Sequence, residues 1–202
     1  NVTIDDTTIS SNSCAVRMMG GSAHIYRSNS ITIGSGQRGF CISGSPSNIR
    51  IGASNAAGLV ADGNTFSGNY LAIDFQDSTP SNVVAGFNTF DSSATQYIAY
   101  DSGFEPFSAA SSIVAKTTSV DASSGASSGS AMIYQGGVYK GTKTIASSVF
   151  SATVAAGDLT GSLTSGQSIV ILTFNNNPIP TNSASTTVFD GTVSTPTVTP
   201  TS

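Results

Sequence analysis

Two stretches of this 202-residue chain open on the same three letters: NTFSGNYLAIDF, Asn64 to Phe75, and NTFDSSATQYIAY, Asn88 to Tyr100. A repeat with a fixed period limits the fold more than any local propensity does, because each unit must be one structural element stacked on its neighbours. Taking the third letter as anchor, Phe66 and Phe90 are preceded by Ile33 and Ile9, with steps of 24, 33 and 24 residues. Seven residues after each anchor stand Val16, Phe40, Ile73 and Tyr97, and nine after stand Met18, Ile42, Phe75 and Ala99. Before the anchors lie Val2, Ile25, Ile49 and Val83, themselves preceded by Asn1, His24, Asn48 and Asn82. An insertion of nine or ten residues within Gly52–Gly63 accounts for the one long step.

Positions i and i+2 face the same side of a strand. Each unit therefore reads as three short strands joined by Gly, Ser and Asn turns such as MMGGSA and ISGSPS. So short a unit cannot bury its own apolar side. Stacking units about 4.8 Å apart completes the main-chain ladders and builds continuous inward files. The expected fold is all-β, a parallel β-helix of about four rungs. Thr8, Thr32, Thr65 and Thr89 are expected to form an outward hydroxyl column, and residues 1, 24, 48 and 82 an Asn/His column at a turn.

Only 9% of residues are charged, too few for the salt-bridged surface helices of an ordinary enzyme. The surface must be hydroxyl and amide, which suits contact with neutral polymers. A formal charge of −4 with seven basic residues argues against nucleic acid as a partner. No apolar run is long enough to span a membrane. Cys14 and Cys41 fall in different columns of neighbouring rungs, so free thiols are expected rather than a disulfide. The chain starts where a rung starts, which suggests a fragment of a longer protein.

After Tyr100 the repeat stops, and DSGFEPF marks a boundary between an expected helical domain, 1–103, and a C-terminal module, 104–202. SSIVAKTTSV, SAMIYQGGVYKGTKTI, SSVFSATVAA and QSIVILTF read as strands, and QGGV and YKGTK favour antiparallel hairpins. The module is expected to be β-sandwich-like, or to be completed by copies of itself.

A helix of such strands running into a β-rich module resembles the pectate-lyase-like right-handed β-helices, and within them the distal parts of bacteriophage tailspikes and tail appendage proteins. The resemblance covers residues 1 to about 103. It implies the right hand, a homotrimer with interlocked C-terminal modules, and attachment of the virion tail, outside the cell, to host surface polysaccharide. Cleavage of that glycan by a depolymerase, glycosidase or lyase, and a bacterial adhesin or stalk, are the alternative readings. No residue-level catalytic motif carries over.

Candidate residues come from the chain itself. Glycoside hydrolysis needs two carboxylates within roughly 5 to 9.5 Å. Asp77 and Asp101 fall in one column on adjacent rungs, although that column is also a turn, where Asp is at home. Asp74, between inward Ile73 and Phe75, is expected to point outward into solvent. Tyr26, Tyr70, Tyr134 and Tyr139 are candidates for stacking on sugar rings. His24 is expected to substitute for Asn in its column, and Glu105 to bridge the two modules. Asp5, Asp6 and Asp62 could share a cation only if the insertion folded back. No cofactor and no metal site are expected, since no cysteine cluster has zinc spacing and GASNAAG lacks the lysine of a phosphate loop.

Overall fold

The computed structural model describes residues 2–11, 13–68, 70–78, 80–94, 96–100 and 105–190, with the main chain alone for Ser11, Ala57, Val60, Asp77 and Ser78. The fold is all-β, and the helical residues described are confined to a 3-10 turn, Ala56–Gly58, and α1, Leu59–Asp62. Three parallel sheets make up the N-terminal half. The first contains β1 (Val2–Asp5), β4 (Ser22–Arg27), β7 (Ser47–Ile51) and β10 (Ser81–Val84). The second contains β2 (Thr8–Ser11), β5 (Ser30–Ile33) and β8 (Thr65–Ser67). In the third lie β3 (Cys14–Met18), β6 (Arg38–Gly44), β9 (Leu71–Ser78) and β11 (Ile98–Tyr100). The chain visits the sheets in rotation, so each of the first three circuits lays one strand on each sheet, and the fourth meets the second sheet only through the Thr65–Thr89 bridge.

The inward files follow the repeat, with shifts at the corners. Val16, Phe40, Ile73 and Ile98 stand in register, as do Met18, Ile42, Phe75 and Tyr100. Ile98 therefore holds the place expected of Tyr97, and Tyr100 that of Ala99. Ile9 pairs with Ile31 rather than Ile33, and Ile31 with Phe66. Val2, His24, Ile49 and Val83 form another file, so His24 lies in an apolar position and not in the Asn column. Its Nε2 donates to the Gly20 carbonyl over 3.0 Å. Thr8 pairs with Ser30, and Thr32 with Ser67 instead of joining the Thr column. The cause is local. The turns between strands differ in length, with seven residues from Ile9 to Val16 but nine from Ile31 to Phe40, so a constant count drifts off the register. Asn48 and Asn82 do bond amide to amide over 3.0 Å.

A stronger ladder runs through the core. Asn29, Asn64 and Asn88 are buried, and the Oδ1 of Asn64 accepts from both the main-chain N and the Nδ2 of Asn29, each at 3.0 Å. Asn88 Oδ1 serves Asn64 in the same way at 3.0 and 3.1 Å. The remaining amide protons go to carbonyls of Ile4, Tyr26 and Ile51. Each side chain thus satisfies main-chain groups at a corner where ladder bonding lapses.

The C-terminal half is one antiparallel sheet of seven strands: β12 (Ser111–Lys116), β13 (Ser119–Ser123), β14 (Ser128–Gln135), β15 (Val138–Ala146), β16 (Val149–Thr153), β17 (Ser168–Phe174) and β18 (Ala184–Thr187). Its order is β12-β13-β16-β15-β14-β17-β18. A bridge from Lys116 to Phe189, with Phe189 N donating to the Ala115 carbonyl over 2.8 Å, brings the two edges together. The expected sandwich is thus a nearly closed barrel, because the last segment returns to the first strand of its own sheet. QGGV is the expected hairpin turn, with Gly136 and Gly137 at φ of 57° and 77° between β14 and β15. YKGTK lies within β15 and makes no turn.

Strands β14 and β17 are buried on both faces. Ala131, Ile133, Ile169 and Ile171 point into the barrel core. Met132, Tyr134, Val170, Leu172 and Phe174 point the other way and join the core of the parallel sheets. There Phe90 stacks on Tyr97 at 3.9 Å between centroids, and both meet the edge of Tyr134. Phe90 N donates to the Gly137 carbonyl over 2.9 Å, and a Cβ on Gly137 would overlap the Phe90 carbonyl. The amide N–H groups of Tyr97 and Ile98 donate to Ser183 Oγ, and that of Tyr100 to Asn182 Oδ1. Glu105 accepts from Asn182 N at 3.1 Å, a contact within the C-terminal half, and it is the Asn182 side chain that crosses to Tyr100.

Replacing Asn64 by Ala strands the donors of Asn29 and an acceptor on Asn88, and we expect a loss of about 2–5 kcal/mol in urea unfolding. An unchanged midpoint would show that water can replace the ladder.

Candidate functional site

The two carboxylates expected to act as a pair lie outside the described side chains. Asp77 contributes its main chain to β9, with its side chain outside the described residues, and Asp101 lies outside them altogether. Asp74 does alternate outward from Ile73 and Phe75, yet it is 1% exposed instead of solvated. Arg38 from the preceding circuit forms an ion pair with its Oδ2, and Gln76 Nε2 donates to the same oxygen over 2.8 Å. A carboxylate neutralised in this way holds two circuits together and is poorly placed to donate a proton to a leaving group.

Beside it, Cys14 and Cys41 form a disulfide across neighbouring circuits, with Cα atoms 5.9 Å apart, and no described cysteine is free. The expectation of free thiols fails because it assumed straight strands. Cys41 lies three residues beyond Arg38, the register partner of Cys14. Three extended residues span roughly 10 Å, so the chain must bend there to bring the sulfurs together.

Of the four tyrosines, Tyr26 and Tyr134 are 4% and 0% exposed and belong to the core. The Tyr134 hydroxyl accepts from Phe87 N at 3.1 Å, and burial raises the pKa of both phenols. Tyr139 packs edge-on against Phe87 and Tyr134, with its hydroxyl 2.8 Å from that of Thr142. Only Tyr70, 43% exposed, offers a ring to solvent. Tyr97 is also held in the interior, and burial pushes its hydroxyl up to about 12.

The insertion does fold back. Ser28 donates through its N and Oγ to the carbonyls of Asp62 and Ala61. Asp62 then meets Arg50 at 2.7 Å and Arg27 at 3.8 Å, while Arg27 also holds Asp5 at 2.8 Å. Asp5 and Asp62 are therefore joined through guanidinium groups, and the hydrogen bond from Arg27 holds the Asp5 carboxyl below its usual range. No cluster with metal-ligating composition occurs among the described residues.

Concave surface open to a ligand occurs at the first strands of the parallel sheets, where a largely apolar hollow of about 520 Å³ is lined by Val2, Ile4, Ile9, Val16 and Tyr26 among others, and on the barrel. A groove of about 670 Å³ crosses the outer face near β13, β15 and β16, lined by Asp121, Ser123, Thr144 and Ser151 among others. A second crevice, about 540 Å³, lies at the junction of the two halves between Ser92, Ser93, Gln167 and Ser168. Both are of a size that holds small ligands; the larger sets hydroxyls and Asp121 among apolar side chains such as Ala146, Val149 and Phe150, and the smaller mixes polar and apolar surface about evenly. The sequence signal for them was weak, since Ser and Thr are spread along the whole chain and only the folded sheet gathers these few. At one end of the larger groove Lys143 binds Asp158 at 2.9 and 3.1 Å.

Comparison with known proteins gives no match to any protein family, to any curated protein or to any solved structure.

Two outcomes follow from these contacts. Lys143 and the Thr153 N–H hold the Asp158 carboxyl below its ordinary value. Its stabilising effect is complete above the unfolded pKa, about 3.9, and is lost as pH falls through the lower folded value. Asp158→Asn should therefore flatten the acid limb of a stability-against-pH curve, and an unchanged limb would assign that limb to other carboxylates. Replacing both cysteines by Ser should cost about 2–4 kcal/mol. Hydrogen exchange should then accelerate first in residues 2–18, and uniform acceleration would contradict a local role for the disulfide.

Proposed function

We propose that the chain is the distal part of a bacteriophage tailspike or tail fibre, which fixes the virion tail to polysaccharide on the host surface. In this reading the three parallel sheets form a right-handed parallel β-helix, the barrel ends it, and three copies assemble side by side. The observation that carries the reading is the barrel that seals one end of the stacked sheets and presents on its outer face a groove in which several hydroxyls and the Asp121 carboxylate stand among apolar side chains. A rigid stalk ending in a polar, weakly charged surface is what attachment to a neutral polymer requires.

Holding is favoured over cutting by the state of the carboxylates. Asp74 is neutralised by Arg38, and Asp5, Asp62 and Asp158 are each paired with a cation. Cleavage would need one carboxyl to act as acid and a second as nucleophile or base.

The test is competition. Purified protein should block adsorption of the parent phage to its host and should sediment as a trimer at micromolar concentration, without releasing reducing ends from host capsule or O-antigen. Release of reducing ends that disappears in Asp77→Asn or Asp101→Asn would instead establish a depolymerase. Failure to compete, together with a monomer in sedimentation, would leave a stalk or adhesin fragment as the better description.

A further inference from the structure

Strands β15 and β16 are joined by the two-residue turn Ser147–Ser148, at φ of 53° and 61°, the kind of turn that ordinarily zips a hairpin closed. Their register nonetheless holds at a single pair, Ala146 with Val149. Farther along, the strand is met by the segment after β16, through the Gly141–Leu159 bridge and the Lys143–Asp158 ion pair. Between these two closures the strands part, and the parting is the larger groove. Its floor is Ala122 and Phe150 from the barrel core. On one wall stand Asp121, Ser123 and Ser151, which alternate outward from buried Val120, Ala122, Phe150 and Ala152, and Thr144 faces them.

Asp121 is half-buried in this wall, and its carboxylate has no hydrogen bond or ion pair with any described residue. Lys143, which also lines the groove, has its charge taken up by both oxygens of Asp158. The groove thus carries one uncompensated negative charge among hydroxyls. Polymers bearing uronate, sialate or phosphate would meet repulsion there. A carboxylate offers two acceptor oxygens side by side, which suits the paired O–H donors of a vicinal diol, and such charge-assisted bonds are the strong ones. Ser123, Ser151 and Thr144 can each donate or accept, as a sugar ring with hydroxyls on several carbons requires. Val149, 53% exposed, adds an apolar patch for the C–H face of a pyranose.

We propose that this groove binds neutral polysaccharide, with Asp121 gripping a vicinal diol of one sugar unit. The proposal rests on the attachment reading and names the place and the charge class of the glycan. It is tested by titrating the whole chain, labelled with nitrogen-15, with oligosaccharides of dextran, mannan and galactan, and with oligogalacturonate as the anionic arm. At least one neutral oligosaccharide should shift the amides of residues 121–123 and 144–151, while oligogalacturonate leaves them in place. Asp121→Asn keeps the shape of the side chain and should weaken binding about tenfold, the effect of losing charge on one hydrogen-bonded acceptor. Ser151→Trp should fill the groove and abolish the shifts, with the melting temperature of both variants checking that the barrel is intact.

If neutral oligosaccharides bind and both folded variants bind as well as the parent chain, the groove is not the site, although attachment stands. Tighter binding of oligogalacturonate in the groove overturns the charge class. If no oligosaccharide binds and the protein also fails to block adsorption, the attachment reading falls and takes this proposal with it.

Discussion

Everything in this molecule depends on how the last circuit of the parallel sheets is closed. A stack of strands leaves at its end an apolar disc and a rim of unpaired main-chain groups, both costly in water. Here β14 and β17 supply the apolar cover through Met132, Tyr134, Val170, Leu172 and Phe174. Gly137 and the Asn182–Ser183 segment take the rim, accepting from Phe90, Tyr97, Ile98 and Tyr100. Because the alternate residues of the same two strands fill the barrel, one pair of strands serves two cores. A substitution on one face of β14 is therefore felt in one half of the protein, and a shift of one residue in its register would exchange both faces.

Within the stack, side-chain amides tie the buried corners that the few ion pairs do not reach. Asn29, Asn64 and Asn88 each spend both amide hydrogens and the carbonyl oxygen inside the core. Such a ladder tolerates no slippage between circuits, since a one-residue slip would bury several unsatisfied groups at once. The aromatic rings show the same fixity. Phe66 on Phe90 and Phe75 on Tyr100 lie nearly parallel, at 12° and 10°.

How far this was legible can be argued residue by residue. The repeat exposed the strands and most of the inward files, because β-periodicity in the apolar residues survives any turn. It misplaced Ile31, His24 and Ile98, because turns of unequal length change the count from one circuit to the next without changing the strands. The Asn ladder was written in the opening letter of both NTF phrases, but it is offset from the columns that constant spacing selects. Closure of the barrel was not legible, since it depends on Phe189 meeting Ala115 across more than seventy residues of sequence. The double burial of β14 and β17 was legible in principle from the unbroken runs AMIY and IVILTF, the mark of a strand covered on both faces. The candidate tyrosines carried no such signal. A phenol on a surface and a phenol whose hydroxyl is satisfied in a core look alike in sequence, and Tyr134 is of the second kind.

The first circuits and the sealed end carry different kinds of tie. At the sealed end, burial is complete: Ile73 and Ile98 are fully enclosed, as is Phe40 one circuit earlier. In the first circuit Val16, Ile4 and Ile9 are only partly covered, and Val2 is 41% exposed. Covalent and ionic ties also join these circuits. Cys14–Cys41 joins the first circuit to the second, and Arg27 links Asp5 of the first to Asp62 of the insertion. The insertion therefore acts as a strap, drawing residues from three circuits onto one set of guanidinium groups. Stiffness is then shared along the stack, and the barrel, anchored through β14 and β17, is left with β13, β15 and β16 free to form its outward groove.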